Sequence, residues 1–346
     1  MKGFIKFIAL FLVLTFALLS ISCNSSAEKE SGALSESVSD EMPTEDKTEK
    51  KTEKKTEKAT RPVKATEPPT MVETTEGLDL DLKILSQNVR YANDPDNNSV
   101  DERTTRLKAL IDEYKPDIIG TQEVTFKWLT YIRSIEGYAV VGWSRAGRTS
   151  TSEEWSAIMY STERFVLMDS DTFWLTSTPD KVSMTDGALC RRICTWAELF
   201  DRYTGETIIM ANTHLDHSNS TVRGMQVQYL LMHLRRRLGD RFAQNRVYLT
   251  GDFNCKNTST PYSAIELGGF VDAHKVALED KSTVKGTFHD YGKEEQEIDF
   301  CFFKGEDTVL SYEIISKNYI GEMDTEPGFV SDHYGVISVF ERKVEK

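Results

Sequence analysis

Six apolar, β-branched runs punctuate the chain, and each leads into or directly follows an Asn, Glu, His or Asp: KILSQN, DIIGTQE, TIIMANTHLDH, VYLTGDFN, EIDFCFF and SDHYGVISVF. Short segments rich in Ile, Val, Leu and Phe predict buried strands. Polar residues recurring at one end of each strand would converge on a single rim of a packed sheet core. The residues so placed are Asn88, Glu123, His214, Asp216, Asp252, Asn254, Asp299, Asp332 and His333.

Between these runs the period changes. Leu107, Leu110, Ile111 and Tyr114 recur at helical spacing, which predicts an amphipathic helix over Asp101 to Tyr114 that stops at Lys115-Pro116. A second helix is expected from Phe126 to Ile135, ending near Gly137, and a Gly/Ser/Thr-rich loop from Arg145 to Ser152. Further strands are expected at Ser156 to Tyr160, Phe165 to Leu175 and Thr195 to Phe200, the last turning through Tyr203-Thr204-Gly205 into Thr207 to Asn212. A long helix from Thr221 to Leu238 has Val222, Met225, Tyr229, Leu230, Leu234 and Leu238 on one face. Thr260-Pro261 opens a short helix that reaches Leu267 and is ended by Gly268-Gly269. Strands mixed with helices and hairpins predict an α+β fold, a two-sheet β-sandwich with helices outside, rather than a regular βαβ array.

Composition divides the 346 residues into three parts. Residues 1–22 read as a signal peptide: Lys2 and Lys6 precede an apolar run from Phe7 to Leu19 that is short for a bilayer span, and small residues follow up to Cys23. Cleavage before Cys23 would give a lipoprotein anchored to the membrane. Ser20-Ile21-Ser22 departs from the usual preference for Leu and then Ala or Gly, so plain secretion and an uncleaved anchor are the alternatives. Residues 23–80 are Ser, Thr, Glu, Lys and Pro with the repeat KTEKKTEKKTEK, too poor in apolar surface to offset the entropy of ordering, and are expected to be a disordered tether. Residues 81–346 are enough for one large core and form the expected catalytic domain.

That domain has 31 basic and 41 acidic residues, a net charge of −10, which makes it a poor generic polyanion binder. Arg235 to Arg237 end the long helix, where cations suit the dipole, and read more naturally as a solvated face than as a nucleic-acid contact. Beyond Cys23, the cysteines Cys190, Cys194, Cys255 and Cys301 form no metal-binding spacing; a disulfide between 190 and 194 or between 255 and 301 stands against buried free thiols.

An isolated acid beside an apolar strand is most often a cap or a turn residue. Glu123, Asp252, Asp299 and Asp332 as a set demand a cation or hydrogen-bond partners. Oxygen donors without a Cys/His cluster favour Mg²⁺ or Mn²⁺. Asp252 and Asn254, two apart on an extended segment, project to the same side, so one can take a proton from water while the other orients it. His214 and His333 each lie beside carboxylates, whereas His217, His233, His274 and His289 lack that setting and read as structural.

In order along the chain, SQNVRY, GTQE, EEWSAIMY, FWLTSTPD, RRICTWAEL, NTHLDH, TGDFN, GTF, EIDFCFF and SDHYGV resemble the endonuclease/exonuclease/phosphatase superfamily over residues 82 to 342, and in particular its exported or surface-associated bacterial members. The resemblance implies a DNase I-like fold, a four-layer α/β/β/α sandwich, and metal-dependent hydrolysis of a phosphate ester by in-line attack of water. It implies that Asn88 and Glu123 bind Mg²⁺ with Asp332 contributing, that Asp252 activates the water and that Asn254 positions it. His333 would contact the phosphate and be oriented by Asp299, and His214 would do so oriented by Glu154. Arg192 matches a phosphate-contacting Arg and Asp216 a polar site residue.

The superfamily cleaves nucleic acids, nucleotide and inositol phosphates and sphingomyelin, so the rim alone does not select the substrate. An acidic, tethered domain lacking a basic and aromatic track favours a small phosphodiester or head group, with nucleic acid only as an alternative substrate and a monomer expected. Trp128, Trp143, Trp155 and Trp174 read as core before they read as a stacking platform. A non-catalytic surface adhesin or sensor is the alternative from another class; the intact set of Asp252, Asn254, Asp299 and His333 argues against it.

Overall fold

The computed structural model describes residues 69–344. The signal segment, Cys23 and the tether as far as residue 68 lie outside the described residues. The last part of the expected tether carries no helix or strand but is not detached: Val72 N donates to Arg202 O at 3.0 Å, and buried Arg164 donates to Leu80 O at 2.6 Å while pairing with Asp201 at 2.8 Å. No helix among the described residues is long and apolar enough to cross a membrane.

The chain begins with β1 (Leu82–Asn88), α1 (Val100–Tyr114), β2 (Ile118–Val124), α2 (Phe126–Ile132), β3 (Tyr138–Val141) and β4 (Trp155–Ser161). A run of strands follows, β5 (Phe165–Trp174), β6 (Ile193–Asp201) and β7 (Thr207–His214), then α3 (Ser220–Leu238), α4 (Arg241–Gln244), β8 (Arg246–Asp252) and α5 (Thr260–Leu267). Short β9 (Val271–Asp272), α6 (Ala273–Val276) and β10 (Glu279–Asp280) precede β11 (Asp299–Lys304), β12 (Val309–Ile315) and β13 (Gly335–Phe340). One sheet has the order β10-β12-β13-β1-β2-β4-β3 and the other β5-β6-β7-β8-β11-β9.

The expected two-sheet sandwich flanked by helices is what the chain forms, and the apolar runs explain it. Neighbouring residues on a strand face opposite ways. Ile84 packs between the sheets with Ile118, Met210 and Tyr248, while Leu85 packs outward with Leu107 and Leu110 of α1 and Trp128 of α2. On β11, Cys301 and Phe303 face the other sheet, and Phe300 and Phe302 face Tyr262 and Ile265 of α5. Both faces of each sheet are therefore covered, and its strands read as continuous rather than alternating hydrophobic runs.

The sheets approach closely at Gly120, where a Cβ would lie 2.0 Å from Thr250 Oγ1 and 2.7 Å from Asn212 Oδ1. That approach lets buried Asn212 bridge the layers: it accepts from Gln122 at 2.7 Å and donates to Thr121 O and Ala157 O at 2.8 and 2.9 Å.

Several expectations change in detail. The second helix ends at Ile132, three residues early, and β3 and β12 occupy stretches the hydrophobic pattern left unassigned. The strand in SDHYGVISVF starts at Gly335, so Asp332 and His333 precede it. All four described cysteines are free, and Cys194, Cys255 and Cys301 are buried. Arg235 and Arg237 are structural: Arg235 donates to Gly268 O at 2.8 Å, and Arg237 pairs with Asp171 and Asp180. Trp128, Trp155 and Trp174 are core residues, and Trp143 lies under the Arg148 guanidinium at 4.0 Å.

Candidate active site

Strand register places the polar residues in a row. His214 and Asp252 are partners across the parallel β7–β8 pair, and Asp252 and Asp299 are partners across antiparallel β8–β11. The facing sheet brings Asn88 from the end of β1, Glu123 from β2 and His333 from just before β13 to the same rim. Glu123 sits at φ +61°, where the pairing of β2 with β4 shifts register, and this irregularity re-aims its side chain. Asn254 is also in the left-handed region at φ +49°, turning the chain back over the end of β8.

Asp252 Oδ2 is the centre. It accepts from Asn88 Nδ2 at 3.0 Å and lies 3.5 Å from His214 Nε2 and 3.8 Å from His333 Nε2. Its other oxygen accepts the Asn254 amide at 2.9 Å. Asn88 Nδ2 also reaches Glu123 Oε1 at 3.1 Å. Burial, and then the Asp299 charge, raise the proton affinity of Asp252, while His333 opposes them.

Around His333 the support is complete. Its Nδ1 lies 2.8 Å from Asp299 Oδ2, which also accepts the Thr287 hydroxyl at 2.6 Å, and Gln87 donates to the His333 carbonyl at 3.3 Å. Burial alone would lower the His333 pKa, but the charge and hydrogen bond of Asp299 and the charge of Asp252 outweigh it and raise it. Thr287 belongs to the GTF motif and was not among the expected site residues; its role depends on contacts made across a loop.

Around His214 the expected arrangement changes. Asn254 Nδ2 is shared between His214 Nε2 and Leu215 O, 3.0 Å from each, so the ring nitrogen accepts and the proton resides on Nδ1, which has no partner. Glu154 does not orient this histidine, because its carboxylate takes Arg145 Nη2 at 2.8 Å. Burial, then the charges of Arg192 and Arg145, lower the His214 pKa well below the ordinary value. Arg192 lines the same small recess as Arg145, Glu154 and His214, with its buried Nε unpartnered.

Two further residues stand apart from their expected positions. Asp216 is fully buried and braces a loop: its carboxylate accepts from the backbone of Leu189, Cys190 and Ser218 at 3.0, 3.2 and 2.8 Å. Asp332 belongs to neither close cluster of candidate metal donors, which are Glu123/His214/Asp252 and Asp252/Asp299/His333. It lies instead 3.5 Å from Arg90, and burial raises its pKa. Arg90, in the SQNVRY motif, was not among the expected site residues. Its loop is clamped by buried Arg103, which donates to Val89 O, Arg90 O and Ala92 O, and by Trp128 Nε1, which donates to Arg90 O at 2.9 Å.

Two mixed sheets covered by helices, with acids, amides and histidines at one rim, form a DNase I-like α/β sandwich. Residues 85–333 match the model of the endonuclease/exonuclease/phosphatase family, and the chain belongs to that family, whose members are hydrolases acting on phosphoesters. Among solved structures, it is similar to an endonuclease/exonuclease/phosphatase from Bacteroides vulgatus at 28% identity and TM-score 0.67, covering 77% of this chain and 100% of that one. It is also similar to a mannosyl-6-phosphatase from Bacteroides thetaiotaomicron at 27% identity and TM-score 0.69, covering 75% and 99%. D. rerio TDP2, at 17% identity, TM-score 0.58 and coverage of 76% and 100%, shares the fold. No curated protein sequence matches the chain.

Proposed function

We propose that this protein is a divalent-metal-dependent hydrolase of a small phosphate ester. The observation that carries the proposal is Asp252 Oδ2 set among Asn88, His214 and His333 at 3.0, 3.5 and 3.8 Å, three groups delivered by three separate chain segments. The donors fit a hard cation: buried Asp252 and Asp332 have raised proton affinities, which a nearby cation would relieve. Glu123 would hold Mg²⁺, or Mn²⁺, joined by Asn88 once its amide is turned so that Oδ1 rather than Nδ2 faces the ion, with Asp332 at the edge and Asp252 left as the base. When bound, the ion would stabilise charge accumulating on the phosphoryl oxygens.

The chain's own residues account for the rest. Asp252 takes the proton of the attacking water, and Asn254, tied to it through the backbone amide, holds that water in place. The water oxygen bonds to phosphorus as the bond to the leaving oxygen breaks. His333, held protonated by Asp299, donates to a phosphoryl oxygen. The Nδ1–H of His214 and the Nε–H of Arg192, both unpartnered, hydrogen-bond the phosphoryl oxygens, and the departing alkoxide takes its proton from solvent water as Asp252 returns the one it accepted to solvent.

The full chain, purified in detergent, should hydrolyse bis-p-nitrophenyl phosphate or p-nitrophenyl phosphate with Mg²⁺ or Mn²⁺ and stop with EDTA. Absence of turnover with every metal, from folded protein, overturns this reading in favour of a binding module. We place the protein at the extracytoplasmic surface through Cys23; Cys23→Ser should move it from the membrane fraction to the soluble fraction, and unchanged partitioning overturns the lipid anchor.

A further inference from the structure

A recess of about 380 Å³ opens beside the rim. This lies within the size range of small-molecule sites, roughly 300–1,000 Å³. It is joined to the catalytic row by a short hydrogen-bonded chain. Asp94, on its wall, holds Arg90 Nε and Nη2 at 3.0 and 3.2 Å and accepts the Tyr291 hydroxyl at 2.9 Å. Arg90 in turn lies 3.5 Å from Asp332, whose carbonyl accepts the amides of His289 and Asp290 at 3.0 and 3.2 Å. Asp332 is the residue before His333, so these bonds tie the wall of the recess to the segment that carries His333.

The lining specifies a chemistry. Arg106 forms part of it at 1% exposure, but four of its five N–H groups are taken by both oxygens of Asp324, Asn98 Oδ1 and Phe329 O, so it offers little to an anion. Asp96, Asn97, Asn318 and Glu326 line the recess and make no side-chain hydrogen bond or ion pair among the described residues, leaving carboxylate and amide groups free to bind hydroxyls. Tyr291 and Phe329 add ring surface, edge to face with centroids 5.9 Å apart, against which the C–H face of a ring can lie. Of the nine non-glycine residues with positive φ among the described residues, Arg90, Asp96, Asn97, Asp290 and Tyr291 lie on this wall or at its junction with the rim.

We propose that the recess is the leaving-group site and takes an uncharged, hydroxyl-rich alcohol of the sugar type, so that the preferred substrate is a sugar phosphate. The acids of the lining outnumber its cations, the engaged Arg106 and Lys293 beside Asp290 at 3.4 Å, a negative balance that disfavours a second phosphate and hence a polynucleotide. This rests on the phosphoester hydrolase reading above.

The test is steady-state hydrolysis by the full chain with Mg²⁺, comparing glucose, mannose and galactose 6-phosphates, fructose 1,6-bisphosphate, p-nitrophenyl phosphate and its bis ester. The hexose monophosphates should be preferred over the bisphosphate. In the double variant Asp96→Lys/Glu326→Lys, both changes being at exposed positions, the ratio of kcat/KM for the best hexose phosphate to that for p-nitrophenyl phosphate should fall about tenfold or more, mainly through KM. Its discrimination against the bisphosphate should shrink by a similar factor. Phe329→Ala should lower the same ratio without relieving that discrimination. Ratios unchanged in both variants, or turnover of the nitrophenyl esters with none of any sugar phosphate, overturn the assignment of the recess alone. No metal-dependent turnover of any ester overturns the functional reading itself.

Discussion

The two histidines of the site are equally buried, at 5% exposure each, yet one is anchored and the other is not. His333 is locked by Asp299, which Thr287 locks in turn. His214 is fixed only through its acceptor nitrogen, and the acid expected behind it, Glu154, pairs with Arg145. A buried N–H without a partner costs about 1–3 kcal/mol. His214 Nδ1 and Arg192 Nε are such groups, lining one recess beside Arg145, whose Nε has only the Glu153 carboxylate at 3.3 Å. The comparison separates a half of the site that is finished in the free protein from a half that a phosphate oxygen would complete.

The largest effect should come from the residue both halves share. Asp252→Asn removes the base and the centre of the cluster and should lower kcat by about a thousandfold, measured on bis-p-nitrophenyl phosphate with circular dichroism to show the fold is intact. EDTA should abolish turnover to the same floor, restored by Mg²⁺.

Next, the anchored side can be broken from behind. His333→Ala should cost about a hundredfold or more in kcat. Asp299→Asn should cost nearly as much because it frees the ring, and the double variant should be little worse than either single one. Additive losses would show that Asp299 does not act through His333.

On the open side, His214→Ala should lower kcat by about tenfold to a hundredfold, with a rise in KM because the contact forms only with substrate. Glu154→Gln should change kcat by less than about fivefold, since in the free protein it serves Arg145. A loss as large as that of Asp299→Asn would mean that Glu154 swings onto His214 when substrate binds.

A third histidine sharpens the comparison away from the chemistry. His274 lies between Glu297 and Asp280 at 2.9 and 3.1 Å, and these hydrogen bonds, Glu297 foremost, push its pKa up to about 9. The stabilisation is fully present below the unfolded value of about 6.5 and is lost as pH rises through about 9. Because the ring is partly exposed, it amounts to about 1 kcal/mol. Urea unfolding at pH 6 and pH 10 should show that difference in the native protein and a smaller one in His274→Gln.

The sequence by itself determined the strands and their polar ends. Continuous apolar runs can only be buried on both faces, and a polar residue that ends such a run must lie at the rim. This is why a two-sheet sandwich with helices outside and the convergence of Asn88, Glu123, His214, Asp252, Asp299 and His333 were legible without coordinates. Elements whose burial depends on neighbours, such as β3 at a sheet edge and β12 beside β13, left too weak a pattern. Only the tertiary structure decided which partner each rim residue takes. Glu154 meets Arg145, Asp216 meets three backbone amides, Asp332 meets Arg90, and Thr287 reaches Asp299. Periodicity records which face of its own strand a side chain occupies, but hydrogen-bond choice is set within about 3 Å by loops distant in sequence, and no single segment encodes that distance.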